Sequence, residues 1–187
     1  MRLVQIIVGV AVVLAPLGWF VLQEYQKQRI LVFLNPNIDP FGAGYHIIQS
    51  KIAIGSGMIL GKGLFEGTQS QLNFLPENHT DFIFSVIGEE LGFVGCVIVL
   101  LLLFLLIYRS IMIARSANDT FGTLLATGIG SMLVFEVLVN VGMTTGIMPV
   151  TGIPLPFISY GVSALTTNMI SVGLLLNIAM HRKKLMF

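Results

Sequence analysis

Long apolar runs without formal charge dominate this sequence of 187 residues. A hydrocarbon core about 30 Å thick takes roughly 20 residues of helix to cross. Runs of that length lie at about residues 3–22, 82–108, 120–143 and 157–180. The pattern therefore predicts an all-α, polytopic membrane protein with about four transmembrane helices, in a single membrane domain over residues 1–187.

Three prolines divide the last uncharged stretch of the chain. Pro149, Pro154 and Pro156 lie between the third and fourth apolar runs. Proline lacks a backbone donor and clashes with the preceding helical turn. The stretch is therefore predicted to form two helices joined by a short apolar linker.

Composition and charge narrow the class of protein further. The mean hydropathy is +0.90, 55% of the residues are hydrophobic and only 10% are charged. Soluble domains are about one quarter charged, and a chain this short has too little interior for so much apolar surface. The net charge of +1 excludes the basic footprint of a nucleic-acid binder, and the single cysteine, Cys96, excludes a disulfide framework.

Basic residues predict the orientation of the spans. Arg2, Arg109, Arg115 and the basic run at residues 181–184 all fall on one side, in short segments. Short cytoplasmic segments carry an excess of Lys and Arg. Both termini are therefore predicted to be cytoplasmic and the long loop at residues 23–81 to be external.

The predicted external loop contains one helical pattern. Tyr45, Ile48 and Ile52, flanked by Ile47 and Ala53, recur at helical spacing, and the pattern stops at the sequence Gly55-Ser56-Gly57. We expect a short amphipathic helix at the membrane surface.

Two acids and a histidine crowd the entry to the second span, at Glu77, His79 and Asp81. An aspartate just before an apolar helix can be an N-cap. The positive end of the helix also favours an ionised carboxylate there, which could accept a proton from a bound hydroxyl. The three side chains could instead ligate a divalent cation if the segment were extended. The spacing leaves these interpretations open.

Further carboxylates lie inside the spans. Glu89, Glu90 and Glu136 each cost a few kcal/mol there unless protonated, paired or facing water, so we expect them to point inward. Glu136 and Asn140 share one helical face, which fits either an interhelical hydrogen bond or a transport pathway. Because each residue turns a helix by about 100°, Glu89 lies nearer to the face of Asp81 than Glu90 does.

Two lysines of the loop are candidates for phosphate binding. Lys51 and Lys62 lie beside apolar or Gly-rich sequence. Each could extend toward lipid phosphates, or could hold a phosphate of a lipid-linked substrate.

Three motifs carry a resemblance to a known family. They are DPFGAGYHIIQS at residues 39–50, QSQLNFLPENHTDFIFSVIGEELG at residues 69–92 and GIMPVTGIPLPFISYG at residues 146–161. In this order they resemble the SEDS family of shape, elongation, division and sporulation proteins, and the first motif resembles its elongation branch. Family members have about ten crossings, and the chain resembles the last four. The sequence is therefore expected to be a fragment or to start at an internal methionine.

The resemblance implies a peptidoglycan glycosyltransferase that polymerises lipid II outside the bacterial cytoplasmic membrane for cell elongation and rod shape. Its implied partners are a class B penicillin-binding transpeptidase and other membrane proteins of the elongation complex. The 187-residue chain alone is expected to be inactive. The alternatives are a flippase or transporter of lipid-linked precursors, which would use the acids inside the spans, and a noncatalytic membrane scaffold.

The resemblance also assigns roles to residues. The aspartate of the family's His-Thr-Asp motif falls on Asp81, which becomes the candidate general base. The candidate substrate-binding residues are Lys51, Lys62, Glu77, His79 and Ser159, and the candidate structural polar residues are Glu89, Glu136 and Asn140. A divalent cation, Mg²⁺ or Mn²⁺, is a candidate cofactor that could assist departure of the pyrophosphate.

Overall fold

The computed structural model describes residues 23–39, 42–72, 74–75 and 77–181. The first predicted span, at residues 3–22, lies outside them. Every regular element in the described part of the chain is helical, which confirms the all-α fold class. The chain divides into two compact units, Met1–Tyr45 and His46–Phe187. The predicted single membrane domain stays a prediction.

In the first unit, helix α1 spans Glu24–Leu34 and a 3₁₀ turn follows at Pro36–Ile38. The Gln23 N–H donates to Gln26 Oε1 at 3.0 Å, as one half of a capping box. Lys27 pairs with Glu24 at 3.0 Å, one turn apart. This helix was not predicted from the sequence because it lacks a strong apolar periodicity; good helix formers and a capping box stabilise it.

Helix α2 spans Ala43–Ser56, which confirms the predicted helix and its end before Gly57. The buried residues of its second-unit part are Ile47, Ser50 and Ala53, whereas Ile52 is 45% exposed. Of the predicted pattern, Ile47 and Ala53 therefore face the protein and Ile52 faces outward. The inward face also meets hydroxyl groups: Ser50 Oγ lies 2.6 Å from Ser85 Oγ and donates to the Thr144 carbonyl at 2.6 Å.

Three long helices follow the short helix α3 at Thr68–Gln71: α4 at Ile83–Ser116, α5 at Thr120–Thr145 and α6 at Val162–Met180. Each is long and apolar enough to cross a membrane, which confirms a polytopic membrane protein. Helix α4 continues beyond the predicted end at residue 108. Helix α6 begins later than the predicted residue 157, because Ser159 Oγ accepts a hydrogen bond from Leu155 N–H at 2.7 Å and closes a turn there.

Helices α4 and α5 pack closely along one another, and α6 contacts both. A side chain at Gly130 of α5 would meet Ser110 Oγ of α4 at 2.7 Å, so small residues bring these helices together, as in other membrane bundles. Two buried clusters fill the contacts. One contains Ala114, Ala126, Ile129, Leu133 and Leu175, and the other contains Phe84, Cys96, Leu103 and Leu155.

Helix α4 is broken at Gly92, where φ is +65° and ψ is −163°. Glycine tolerates this left-handed backbone because it has no Cβ. Before the break, the carbonyls of residues 89 and 90 accept hydrogen bonds from the N–H groups of residues 62 and 63, at 3.0 and 3.1 Å. After the break, the N–H groups of residues 93 and 94 donate to the carbonyls of residues 58 and 59, at 2.9 and 3.2 Å. The loop thereby satisfies backbone groups that lipid could not.

Candidate functional site

A tight turn precedes α4 and carries the candidate base. Glu77 has a φ of +54°, and its carbonyl accepts hydrogen bonds from the Thr80 and Phe82 N–H groups at 3.2 and 3.3 Å. The Thr80 hydroxyl donates to Glu77 Oε2 at 3.0 Å. Helix α4 begins at Ile83 with Phe82 in the N-cap position and without a side-chain cap bond. The N-cap position is therefore taken by Phe82, one residue after Asp81, and a capping bond from the Asp81 side chain stays a prediction.

Three consecutive carbonyl groups, those of residues 79–81, are held by donors from distant parts of the chain. The Tyr160 N–H donates to the first at 2.8 Å, the Ser159 hydroxyl to the second at 2.7 Å and the Asn140 amide to the third at 3.0 Å. The donors come from α5 and from the proline-containing linker between α5 and α6. Hydrogen bonds thus fix the turn to α5 and to the linker at each of these three residues.

The Asp81 carboxylate lies against the same linker. Asp81 is half-buried, and its Oδ2 lies 3.2 Å from the position that a Cβ on Gly152 would occupy. Gly152 has a φ of +76°. Because this residue has no side chain, the carboxylate can approach the linker backbone closely.

Exposed His79 borders two cavities beside the turn. One, of about 440 Å³, is also lined by Phe65, Ser70, Gln71, Asn78, Ile83, Val86 and Glu90. The other, of about 320 Å³, is also lined by Ile83, Ile158 and Tyr160. Their mixture of amide, hydroxyl, carboxylate and apolar groups suits a ligand with both polar and apolar parts. A larger, mainly apolar cavity of about 510 Å³ lies between α4 and α5 near Arg115 and holds none of the candidate residues.

Glu89 is fully buried, and the loop uses both of its carboxylate oxygens. Oε1 accepts from Lys62 Nζ at 2.9 Å and from the Gln69 N–H at 2.9 Å, and Oε2 accepts from the Ser70 N–H at 3.0 Å. The Thr68 hydroxyl lies 3.3 Å from Oε1. Lys62 is therefore the ion-pair partner of Glu89, and its binding of substrate stays a prediction.

Exposed Lys51 lies on α2, beside the end of α5. Its side chain contacts Gly146, the left-handed residue that caps α5. A cation at the C-terminal end of a helix is favourable, so this position has a structural explanation. Binding of a phosphate by Lys51 stays a prediction.

The predicted polar pair on α5, Asn140 and Glu136, differs in its hydrogen bonding. Asn140 is fully buried, and its amide donates to the Asp81 carbonyl and, at 2.8 Å, to the Ile153 carbonyl. Within the part of the chain that the structure describes, the hydrogen bonds of Asn140 thus run from α5 to the turn and to the linker, and not to another helix as predicted. Glu136 Oε2 is also buried, but no hydrogen-bond partner for it is found among the described residues.

The hydroxyl of Ser159 has little capacity left for a substrate. Ser159 is 9% exposed, its one proton goes to the Thr80 carbonyl, and its oxygen accepts from the Leu155 N–H. A serine hydroxyl has a single donor. Ser159 thus supports the turn, and its predicted contact with substrate stays untested.

Glu77, His79 and Asp81 do not form a metal site by themselves. Within the described ranges, no three His, Cys, Asp or Glu side chains are placed to hold a metal ion. The ligand interpretation requires an extended segment, whereas these residues lie in a turn. A cation that the substrate's phosphates help to hold stays a prediction.

Sequence reasoning missed Gly152 and the backbone N–H of Tyr160. Both lie inside the motif at residues 146–161, so the motif was the available signal for them. A backbone donor has no residue type of its own, and the left-handed conformation at Gly152 depends on how the linker folds over the turn.

Comparison with known proteins places the chain in a family. The family of cell cycle proteins that includes FtsW, RodA and SpoVE matches residues 1–184. The chain belongs to this family. The match confirms the resemblance carried by the three motifs.

Curated relatives match most of the chain. It is 55% identical to the peptidoglycan glycosyltransferase MrdB of Escherichia coli K12 over 184 residues, which are 96% of this chain and 50% of MrdB. It is 53% identical to the peptidoglycan glycosyltransferase RodA of Treponema pallidum over 162 residues, 87% of this chain and 37% of that protein. Stage V sporulation protein E of Bacillus subtilis is 47% identical over 159 residues, 85% of this chain and 43% of its own.

A solved structure has the same fold. It comes from a study of the structural coordination of polymerization and crosslinking by a peptidoglycan synthase complex, and it matches 98% of this chain and 50% of its own chain. The TM-score is 0.74 and the sequence identity is 33%. The chain thus spans between 37% and 50% of the length of these relatives.

Proposed function

We propose that the complete protein is a peptidoglycan glycosyltransferase that polymerises lipid II into glycan strands for cell elongation. The observation that carries the proposal is the 55% identity to a peptidoglycan glycosyltransferase over 96% of this chain. This chain contributes the helices that hold Asp81, and the remainder of the protein contributes the rest of the site.

In the proposed reaction, Asp81 is the general base. Its carboxylate accepts the proton of a sugar hydroxyl while that oxygen bonds to the anomeric carbon of a second lipid-linked sugar. The bond from the anomeric carbon to the pyrophosphate oxygen breaks, and the lipid pyrophosphate leaves with the electron pair. Because this leaving group is already a stable anion, one carboxylate base suffices. The half-buried position of Asp81, in a turn whose His79 lines two cavities, supports this role.

A cation would stabilise the departing pyrophosphate. Lys51 remains exposed beside the end of α5 and is one candidate. Lys62 would have to share its charge with Glu89. A Mg²⁺ or Mn²⁺ ion held partly by the pyrophosphate itself is the third candidate.

We place the protein in the bacterial cytoplasmic membrane, with both termini inside and residues 23–81 outside. The basic residues of the short segments support this orientation. We propose a class B penicillin-binding transpeptidase as its partner. The similar chain from a complex that joins polymerization and crosslinking supports this pairing.

The carrier and scaffold alternatives make different demands on the chain. A carrier of lipid-linked precursors would depend on acids inside the spans, and Glu89 is already occupied by the loop. Glu136 would then be the sensitive position. A scaffold would depend on neither Glu136 nor Asp81. The proposed polymerase depends on Asp81.

The test is glycan synthesis from purified lipid II by the full-length protein and by its Asp81→Asn variant. Loss of the base should lower turnover by about 10²- to 10⁴-fold. Asp119→Asn is a matched control, because Asp119 caps α5 by accepting from the Gly122 N–H at 3.2 Å. Asparagine is as good a cap, so this control should remain active.

Two results would contradict different parts of the proposal. A well-folded wild-type protein that makes no glycan strands, alone or with its transpeptidase partner, would exclude the polymerase function. A fully active Asp81→Asn variant would leave the function standing but show that Asp81 is not the base, and Glu77 would become the next candidate.

A further inference from the structure

Asn140 places a primary amide in the middle of a long apolar helix. The residue is fully buried on α5. Burying an amide is costly unless it forms hydrogen bonds. Its Nδ2 group donates at 3.0 Å to the carbonyl of Asp81 and at 2.8 Å to the carbonyl of Ile153. One side chain therefore joins two segments that lie 59 and 13 residues away in the sequence.

The chemistry of this position requires a donor with two protons. Both neighbours are carbonyl oxygens, which only accept hydrogen bonds, so the NH₂ group of Asn140 has to face them. An aspartate of the same shape would direct an oxygen at the two carbonyls. An alanine would leave them without the donor.

One of the two carbonyls belongs to the candidate catalytic residue, and the other belongs to the linker beside it. Asp81 carries the carboxylate. Ile153 directly follows Gly152, whose missing Cβ would lie 3.2 Å from Asp81 Oδ2. The amide of Asn140 thus fixes the base and the wall beside it to each other. Ser159 fixes the preceding carbonyl, that of Thr80, from the linker at 2.7 Å.

We propose that Asn140 is a positioning residue of the glycosyltransferase site, which sets where the Asp81 carboxylate stands relative to the Gly152 wall. The inference rests on the proposed function. Asn140 acts through the backbone of Asp81 and does not itself touch the reacting atoms. A displacement of about 1 Å at a reacting group can cost roughly 10²-fold in rate.

The test compares Asn140→Ala and Asn140→Asp in the full-length protein. We expect kcat for glycan synthesis to fall by about 10- to 100-fold while KM for lipid II stays within about threefold. Asn140→Asp fills the same volume but lacks the donors, so it should lose at least as much kcat. Asn168→Ala is the matched control, because Asn168 is another buried amide, 3% exposed, on the neighbouring helix α6.

Unfolding midpoints of all variants are measured beside the kinetics, because truncating any buried amide can weaken folding. A purely structural role predicts that kcat falls only with the folded fraction, equally for Asn140→Ala and Asn168→Ala. A positioning role predicts a lower kcat for Asn140→Ala at an unfolding midpoint that Asn168→Ala matches. If Asn140→Asp fails to fold, the alanine pair still decides between these roles.

Each outcome bears on the inference. Near-normal kcat in Asn140→Ala, alongside an inactive Asp81→Asn variant, would overturn the positioning role and leave the proposed function intact. Equal losses in Asn140→Ala and Asn168→Ala would overturn it as well. An inactive wild-type protein would remove the proposed function and, with it, the inference.

Discussion

Removing the Glu89 carboxylate should release the loop that covers the start of α4. In the structure, this carboxylate is fully buried and receives Lys62 Nζ together with the backbone N–H groups of Gln69 and Ser70. The substitution Glu89→Ala would leave all three donors without this acceptor. We therefore expect local opening of the loop segment around α3, with the long helices still packed.

The contacts of Glu89 set the expected free-energy cost of this substitution. Breaking a buried ion pair by removing one partner costs about 3–5 kcal/mol. The Lys62 side chain is 28% exposed, and Lys62 Nζ keeps a 2.8 Å hydrogen bond to Thr68 Oγ1. Water and Thr68 can therefore compensate part of the loss. A value of about 3 kcal/mol corresponds to roughly 10²-fold more frequent opening.

Amide hydrogen exchange, followed by mass spectrometry on the full-length protein, measures this opening directly. Exchange of the Gln69 and Ser70 amides should accelerate by roughly 10²-fold in Glu89→Ala. Glu90→Ala is the control, because Glu90 is the adjacent carboxylate but lines the 440 Å³ cavity. Its exchange rates in the loop should match those of the wild type.

Unchanged exchange at Gln69 and Ser70 in Glu89→Ala would refute this account of the loop. The isosteric variant Glu89→Gln separates the remaining possibility, that Glu89 serves the Asp81 site. If Glu89→Gln lost glycan synthesis while the loop stayed protected, Glu89 would belong to the reaction and not only to the loop.

Two further predictions test the site wall and the topology. Gly152→Ala should lower glycan synthesis by about tenfold or more, because the alanine is strained at φ +76° and its Cβ would crowd Asp81 Oδ2 at 3.2 Å. The control Gly173→Ala, with open space around it, should keep the wild-type rate of glycan synthesis. Equal activities of the two variants would contradict the close contact between Gly152 and the Asp81 carboxylate. In a background without the native cysteine, Glu66→Cys should react with an impermeant thiol reagent in intact cells, whereas Asn118→Cys should react only after lysis. Both residues are exposed, and they lie on the predicted external and cytoplasmic sides of the membrane. The reverse labelling would overturn the predicted topology.

The spans could be predicted because the membrane imposes a length on apolar helices, and α4, α5 and α6 fulfil it. The turn carrying Asp81 could be located because acids and a histidine before an apolar run form a local signal. The break at Gly92 could not be predicted. Its freed backbone groups are satisfied by a loop some thirty residues earlier in the chain, and such pairing depends on tertiary structure. Helix α1 was missed because its stability comes from helix formers and caps rather than from apolar periodicity.

The contacts of Lys62 and Ser159 show why residue type alone does not identify the partner of a group at this site. A lysine in a Gly-rich loop predicts an anion ligand, and the structure provides one within the protein, the carboxylate of Glu89. A serine in a signature motif predicts a substrate contact, and its proton goes to the Thr80 carbonyl. In each case the partner is distant in sequence, so the pattern correctly indicates the chemistry of the group but not its partner.

The linker between α5 and α6 therefore contributes to the site mainly through where it holds the turn. Leu155 is almost fully buried, in a cluster with Phe84 at the start of α4, and its backbone closes the turn with Ser159. The Ser159 hydroxyl and the Tyr160 N–H then reach the carbonyls before Asp81. A motif without an acid or a base can thus be as necessary as the one that carries Asp81. Substitutions at Gly152 and Ser159, which line neither cavity beside the turn, should accordingly change kcat of the proposed reaction through the position of the Asp81 carboxylate, and leave KM for lipid II largely unaltered.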